Sequence, residues 1–135
     1  MASHGYQEVD HTADIALKVW GEDFQTLLRQ AAYGIYDLMG IVPDDQTPVA
    51  GYFVLLQDSL ETILVDFLSE LIFLAEEKNQ VFDSFSFDEQ DDELTVRMAG
   101  QEILSQERYV KAVTFHDLSV RQTDCGCEVT ITFDV

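Results

Sequence analysis

Leu60, Ile63, Leu64, Phe67, Leu68, Leu71, Ile72 and Ala75 recur at helical spacing without a gap, and a stripe of that width has to be covered by another apolar surface. The rest of the chain must therefore supply a layer for this helix to rest on. Asp58, with Glu61 three residues later, resembles a capping box and marks the helix start. A second stripe, formed by Phe24, Leu27, Leu28, Ala31, Ile35, Leu38 and Met39, predicts another helix, with Asp23 as its N-cap and Gly40 as its stop. The covering layer is found in short segments rich in Val, Ile, Thr and Phe, bounded by turn residues, over 6–9, 15–20, 49–57, 82–87, 94–98, 110–118 and 128–133. Pro43 and Pro48 fall where the first helix hands over to a strand, and Thr123-Asp124-Cys125-Gly126 is a turn that implies a terminal hairpin. Two amphipathic helices over a largely antiparallel sheet make a two-layer α+β sandwich. With 135 residues, 47% of them apolar, and no repeat or linker, the chain is expected to be a single domain over 1–135.

The charge narrows the partners. Twenty-six acidic residues against seven basic ones give a net charge of -19, and the acids are spread over the whole chain. Direct nucleic-acid binding needs clustered Lys and Arg to displace counterions, and no such cluster occurs. An acidic surface suits cations or a basic protein partner, and it also keeps a protein soluble. No apolar run approaches the roughly 20 residues that span a bilayer. Met1-Ala2-Ser3-His4-Gly5 has no signal-peptide character, so a cytoplasmic location is expected. Cys125 and Cys127 are too close for an easy disulfide and too few for a zinc site, and read as two ordinary thiols.

Two places concentrate chemistry. Asp10-His11-Thr12-Ala13-Asp14 puts two carboxylates and an imidazole in five residues ahead of the alternation Ile15, Leu17, Val19. Carboxylates there suit a hard cation such as calcium, an Asp/His pair suits acid-base work, and an Asx turn or cap needs no function at all. At the other end, alternation puts Val129, Ile131 and Phe133 on one face of the last strand and Thr130, Thr132 and Asp134 on the other. Val135 adds a further anionic group beside Asp134. Next to Asp14 these would need a metal or a proton to relieve their repulsion; a solvated end is the plain alternative. His116 is placed mid-strand, where a structural hydrogen bond is the simpler reading, and Lys111 is expected to pair with a neighbouring acid. Trp20 and Tyr36 read as packing residues. No phosphate loop, nucleophile elbow or serine triad is present.

Asp10-His11-Thr12-Ala13-Asp14-Ile15-Ala16-Leu17-Lys18-Val19-Trp20-Gly21, Ala31-Ala32-Tyr33-Gly34-Ile35, Val110-Lys111-Ala112-Val113-Thr114-Phe115-His116-Asp117-Leu118 and the ending Thr132-Phe133-Asp134-Val135 together resemble the archease family, in the family's order. The resemblance implies a calcium-binding α+β domain that is not itself an enzyme. It implies a protein that activates the GTP-dependent tRNA-splicing RNA ligase, promoting its guanylylation and repeated turnover. By the same resemblance the metal ligands are Asp14, Asp134 and Val135. The chain departs from the family pattern at Arg108-Tyr109, where relatives often carry an acid and a longer loop, and Glu107 is the nearest substitute. Two rival readings stand beside this one: a general chaperone or adaptor for nucleic-acid-modifying proteins, and a metal-dependent hydrolase using Asp10, His11 and Asp14.

Overall fold

The computed structural model describes residues 3–9 and 15–135. The first stripe becomes α1 (Phe24–Met39) and the second α2 (Leu60–Lys78). Eight strands accompany them: β1 (Gly5–Val9), β2 (Ile15–Gly21), β3 (Val42–Leu56), β4 (Gln80–Gln90), β5 (Glu93–Ser105), β6 (Ala112–Thr114), β7 (Arg121–Thr123) and β8 (Gly126–Asp134). All pairings are antiparallel, but they form two sheets rather than one. One sheet runs β1-β2-β8-β6, with β7 also on β8, and the other runs β3-β5-β4. Both helices pack on both sheets, α1 against β1, β2, β8 and β4, and α2 against β3, β4 and β6. Among the described residues, buried apolar side chains from both helices and both sheets form one cluster.

Every stripe residue of α2 except Leu60 is buried, and Phe67 sits at the middle of the core with its ring 5.7 to 6.1 Å from those of Phe53, Phe85 and Phe87. The caps of α1 are the expected ones. Asp23 accepts a hydrogen bond from the Thr26 amide at 2.7 Å, and Gly40 closes the helix in the left-handed region at φ 62°. The start of α2 is shifted by one residue from the expected cap. Ser59 is the N-cap, accepting from the Thr62 amide at 3.2 Å, while Asp58 accepts from the Ser59 amide. Glu61 does not close a capping box, because its carboxylate accepts from the Val120 amide at 2.7 Å and ties a distant loop to the helix.

Three strands differ from expectation for identifiable reasons. β3 begins at Val42 and includes both prolines, which sit at register shifts on an edge strand where no ladder N–H is required of them. The segment over 110–118 is a strand only at Ala112–Thr114, after which Asp117 takes φ 53° and the Leu118 amide bonds back to Phe115. β7 is exposed at all three residues and so carries no apolar pattern to read. The 123–126 turn is real, but it joins β7 to β8.

The Asp23 carboxyl is held below the usual carboxylate range, first by the Thr26 hydroxyl and then by the Thr26 amide. A depressed pKa contributes stability above the unfolded-state value that is lost as pH falls through the folded one. Asp23→Ala should therefore cost about 1 kcal/mol at neutral pH, and thermal melts repeated toward pH 3 should show the deficit shrinking. A deficit that grew on acidification would contradict this cap.

Candidate functional site

The central strand of the larger sheet, β8, ends at Asp134, and its neighbours fix what surrounds that end. On one side Ile15 pairs with Phe133, so the residue following Asp14 in sequence lies against the residue preceding Asp134. On the other side Ala112 pairs with Asp134, and the Lys111 amide donates to the Asp134 backbone oxygen at 2.8 Å. Val129, Ile131 and Phe133 are buried, whereas Thr130 and Asp134 are exposed, as strand alternation requires. Thr132 departs from that split, being only 6% exposed on the face it shares with Asp134.

Asp134 and Val135 are therefore brought together with Lys111 at one corner of the sheet. The Asp134 carboxylate has no hydrogen-bond or ion-pair partner among the described residues. Lys111, expected to pair with an acid, forms no ion pair among them either. The Asp134 carboxylate offers hard oxygen donors of the kind that calcium-type cations take. Asp10, His11 and Asp14 lie outside the described residues, and among the described residues no three acidic, His or Cys side chains form a metal-holding group.

The segment leading to Lys111 is anchored from α2. Gln106 Nε2 donates to Glu76 Oε1 at 3.3 Å and to the Arg108 carbonyl at 3.0 Å. Burial pushes the Glu76 carboxyl above its ordinary value, while the Gln106 side chain and the Val110 backbone pull it down. Beside this anchor a groove of about 430 Å³ opens between α2 and the segment, lined by Phe73, Glu76, Glu77, Tyr109 and Lys111. Phe73 and Tyr109 are 49% and 66% exposed, which is unusual for aromatics. Sequence reasoning missed them. For Phe73 a signal existed, because it is an aromatic that falls off the stripe of α2.

The other singled-out residues lie elsewhere. Glu107 is at the C-terminal end of α1, where its amide donates to the Met39 carbonyl at 2.9 Å and its side chain packs on Gly40. His116 is not mid-strand but in the exposed turn after β6, 3.2 Å from Asp117, and its amide donates to Thr114 Oγ1. Cys125 is exposed in the β7–β8 turn, while Cys127 is buried and its thiol is pushed up by that burial. Tyr36 is buried as expected of a packing residue, and burial raises its hydroxyl above the ordinary tyrosine value.

The model of the Archease protein family matches residues 6–135. The chain is 30% identical to the protein archease of Methanosarcina barkeri, over all of both chains, and 28% identical to that of Methanopyrus kandleri, over 88% of this chain and 91% of the relative. Its fold is similar to a Thermotoga maritima crystal structure described as an archease and possible chaperone (TM-score 0.71, 24% identity, 96% of each chain). It is also similar to a Methanobacterium thermoautotrophicum solution structure (TM-score 0.73, 23% identity, 97% of this chain and 99% of the other). With the family model matched over nearly its whole length and a full-length relative at 30% identity, the chain belongs to the archease family.

Proposed function

We propose that this chain is a calcium-binding activator of a GTP-dependent tRNA-splicing RNA ligase, and that it promotes guanylylation and repeated turnover of the ligase without performing catalysis itself. Family membership supports the reading, and the observation that carries it is the corner formed by Asp134, Val135 and Lys111. There, the Lys111 amide meets the Asp134 backbone oxygen, and neither side-chain charge has an ion-pair partner among the described residues. Asp14, Asp134 and Val135 would hold the cation, which supplies positive charge among otherwise repelling oxygens and fixes the shape of the corner. Lys111 is left to meet an acidic or phosphate group on the partner. Docking is driven by the acidic surface, which suits a basic ligase and does not suit naked RNA.

Incubating a cognate ligase with GTP in the presence and absence of an equimolar amount of this chain tests the reading. Faster accumulation of the guanylylated ligase is the expected result, and no stimulation would remove the reading. Charge steering adds a second expectation. Salt at 0.1 M screens surface charges over about 10 Å, so the association rate measured by stopped flow should fall by about tenfold or more from low to high salt. A rate indifferent to salt would count against electrostatic docking. The exposed Phe73 and Tyr109 favour a second reading, a general chaperone or adaptor. It requires protection of several unrelated proteins from aggregation, without dependence on calcium.

A further inference from the structure

The smaller sheet has two edge strands, and the molecule treats them differently. On β4, Tyr33 of α1 donates to the Asp83 carbonyl at 3.0 Å, Arg29 donates to the Phe85 carbonyl at 3.3 Å, and a register shift interrupts the strand between Phe82 and Ser84. Those are ways of blunting an edge. β3 has such devices only in its first half, where Pro43, Pro48 and two register shifts fall. From Val49 to Leu56 it pairs with β5 in unbroken register, carries no proline or charged side chain, and receives no side-chain hydrogen bond on its backbone among the described residues. This stretch is a strand edge left ready for another strand.

What flanks the edge defines the strand that fits. Phe53 and Leu55 turn inward toward α2, while Tyr52, Val54 and Leu56 are exposed by 69%, 44% and 71%. Between β3 and α2 lies a groove of about 510 Å³ lined by Asp66, Glu70 and Phe73 of α2, with Asp58 also in its lining. A strand laid beside β3 would alternate its side chains between two environments. One set would project over the carboxylates of α2, and the other would lie beside Tyr52, Val54 and Leu56 on the outer face.

We propose that the β3 edge over 49–56 and the adjoining flank of α2 take up an extended segment of a protein partner in which Lys or Arg alternates with apolar side chains. Main-chain pairing supplies the attachment and the acidic flank selects the sequence. A second copy of this chain is a poor occupant, because it would bring Asp58, Asp66 and Glu70 against their own duplicates in a molecule of net charge -19. The inference stands apart from the activator reading, since the groove does not include Asp134.

The test uses the full chain and two fluorescent ten-residue peptides of identical composition, one alternating Lys with Val and the other arranging them with helical spacing. Anisotropy titrations at physiological salt should give binding of the alternating peptide at least tenfold tighter than of its isomer. Asp66→Lys combined with Glu70→Lys should weaken it at least tenfold, and so should Leu56→Glu, a change at an exposed position. Hydrogen exchange should show new protection of amides over 49–56 when the alternating peptide is bound. Equal affinity for the two isomers, no binding of the alternating peptide, or protection elsewhere would overturn the proposal. Concentration-dependent dimerisation protecting the same amides without peptide would also overturn it, by making a second copy the occupant. Peptide binding without stimulation of guanylylation would sink only the activator reading, and stimulation without peptide binding would sink only this one.

Discussion

Asp134→Ala should abolish calcium binding while leaving the fold intact. The side chain is exposed and without a partner among the described residues, and the backbone oxygen that receives the Lys111 amide survives the substitution. A ligand that binds only the folded chain stabilises it by about 2.7 kcal/mol at a hundredfold excess over Kd. The native protein should therefore melt several degrees higher with saturating calcium, and the variant should show no shift. Calorimetric titration gives the same answer directly, with heat of binding in the native chain and none in the variant. Equal binding by the two would remove Asp134 from the site.

The largest loss of stability is expected from Phe67→Ala. This ring is fully buried and touches Phe53 on β3 and both Phe85 and Phe87 on β4, so it joins α2 to two strands of the smaller sheet. Truncating a buried Phe typically costs about 3 to 5 kcal/mol, including the cavity left behind, out of a total that is typically about 5 to 15 kcal/mol. Urea titration should show the midpoint falling sharply at nearly constant slope. A loss below about 1 kcal/mol would mean that the core closes over the missing ring and that α2 is held mainly by other contacts.

The stripe that contains Phe67 was readable because burial of one helix face imposes a 3.6-residue period, as it does for the stripe of α1. Its cap was readable only to within a residue. Asp58 and Ser59 are both competent N-caps, and Glu61, the other half of the expected box, is taken by the Val120 amide 59 residues away. β7 was invisible because Arg121, Gln122 and Thr123 are all exposed, and strands are recognised through the residues they bury. The early part of β3 was hidden by Pro43 and Pro48, whose presence excludes a central strand but permits an edge. That the sheets number two depends on pairings between distant segments, which composition does not encode.

At the site, alternation placed Asp134 on the face away from Phe133, and the structure agrees. Local pattern could not show that Ile15 and Phe133 are partners, because that register is set by the whole sheet. His116 was misplaced because Val113-Thr114-Phe115 carries a strand pattern beyond the end of β6 at Thr114, where the chain enters a turn with Asp117 at positive φ. Lys111 was expected to be paired simply because acids are abundant, yet the segment that carries it is held by Gln106 on Glu76, leaving its own charge unclaimed among the described residues.

If the Asp134 corner acts on a ligase through calcium, ligation by a cognate enzyme under multiple-turnover conditions should depend on both. RNA should be supplied in excess over ligase, and this chain added at about one tenth of the ligase concentration, with calcium or with a chelator, as the native protein or as Asp134→Ala. Repeated turnover is expected with the native chain and calcium, and at most one turnover per ligase when either the metal or the carboxylate is removed. Equal ligation in all arms, or stimulation that ignores both calcium and Asp134, would contradict it.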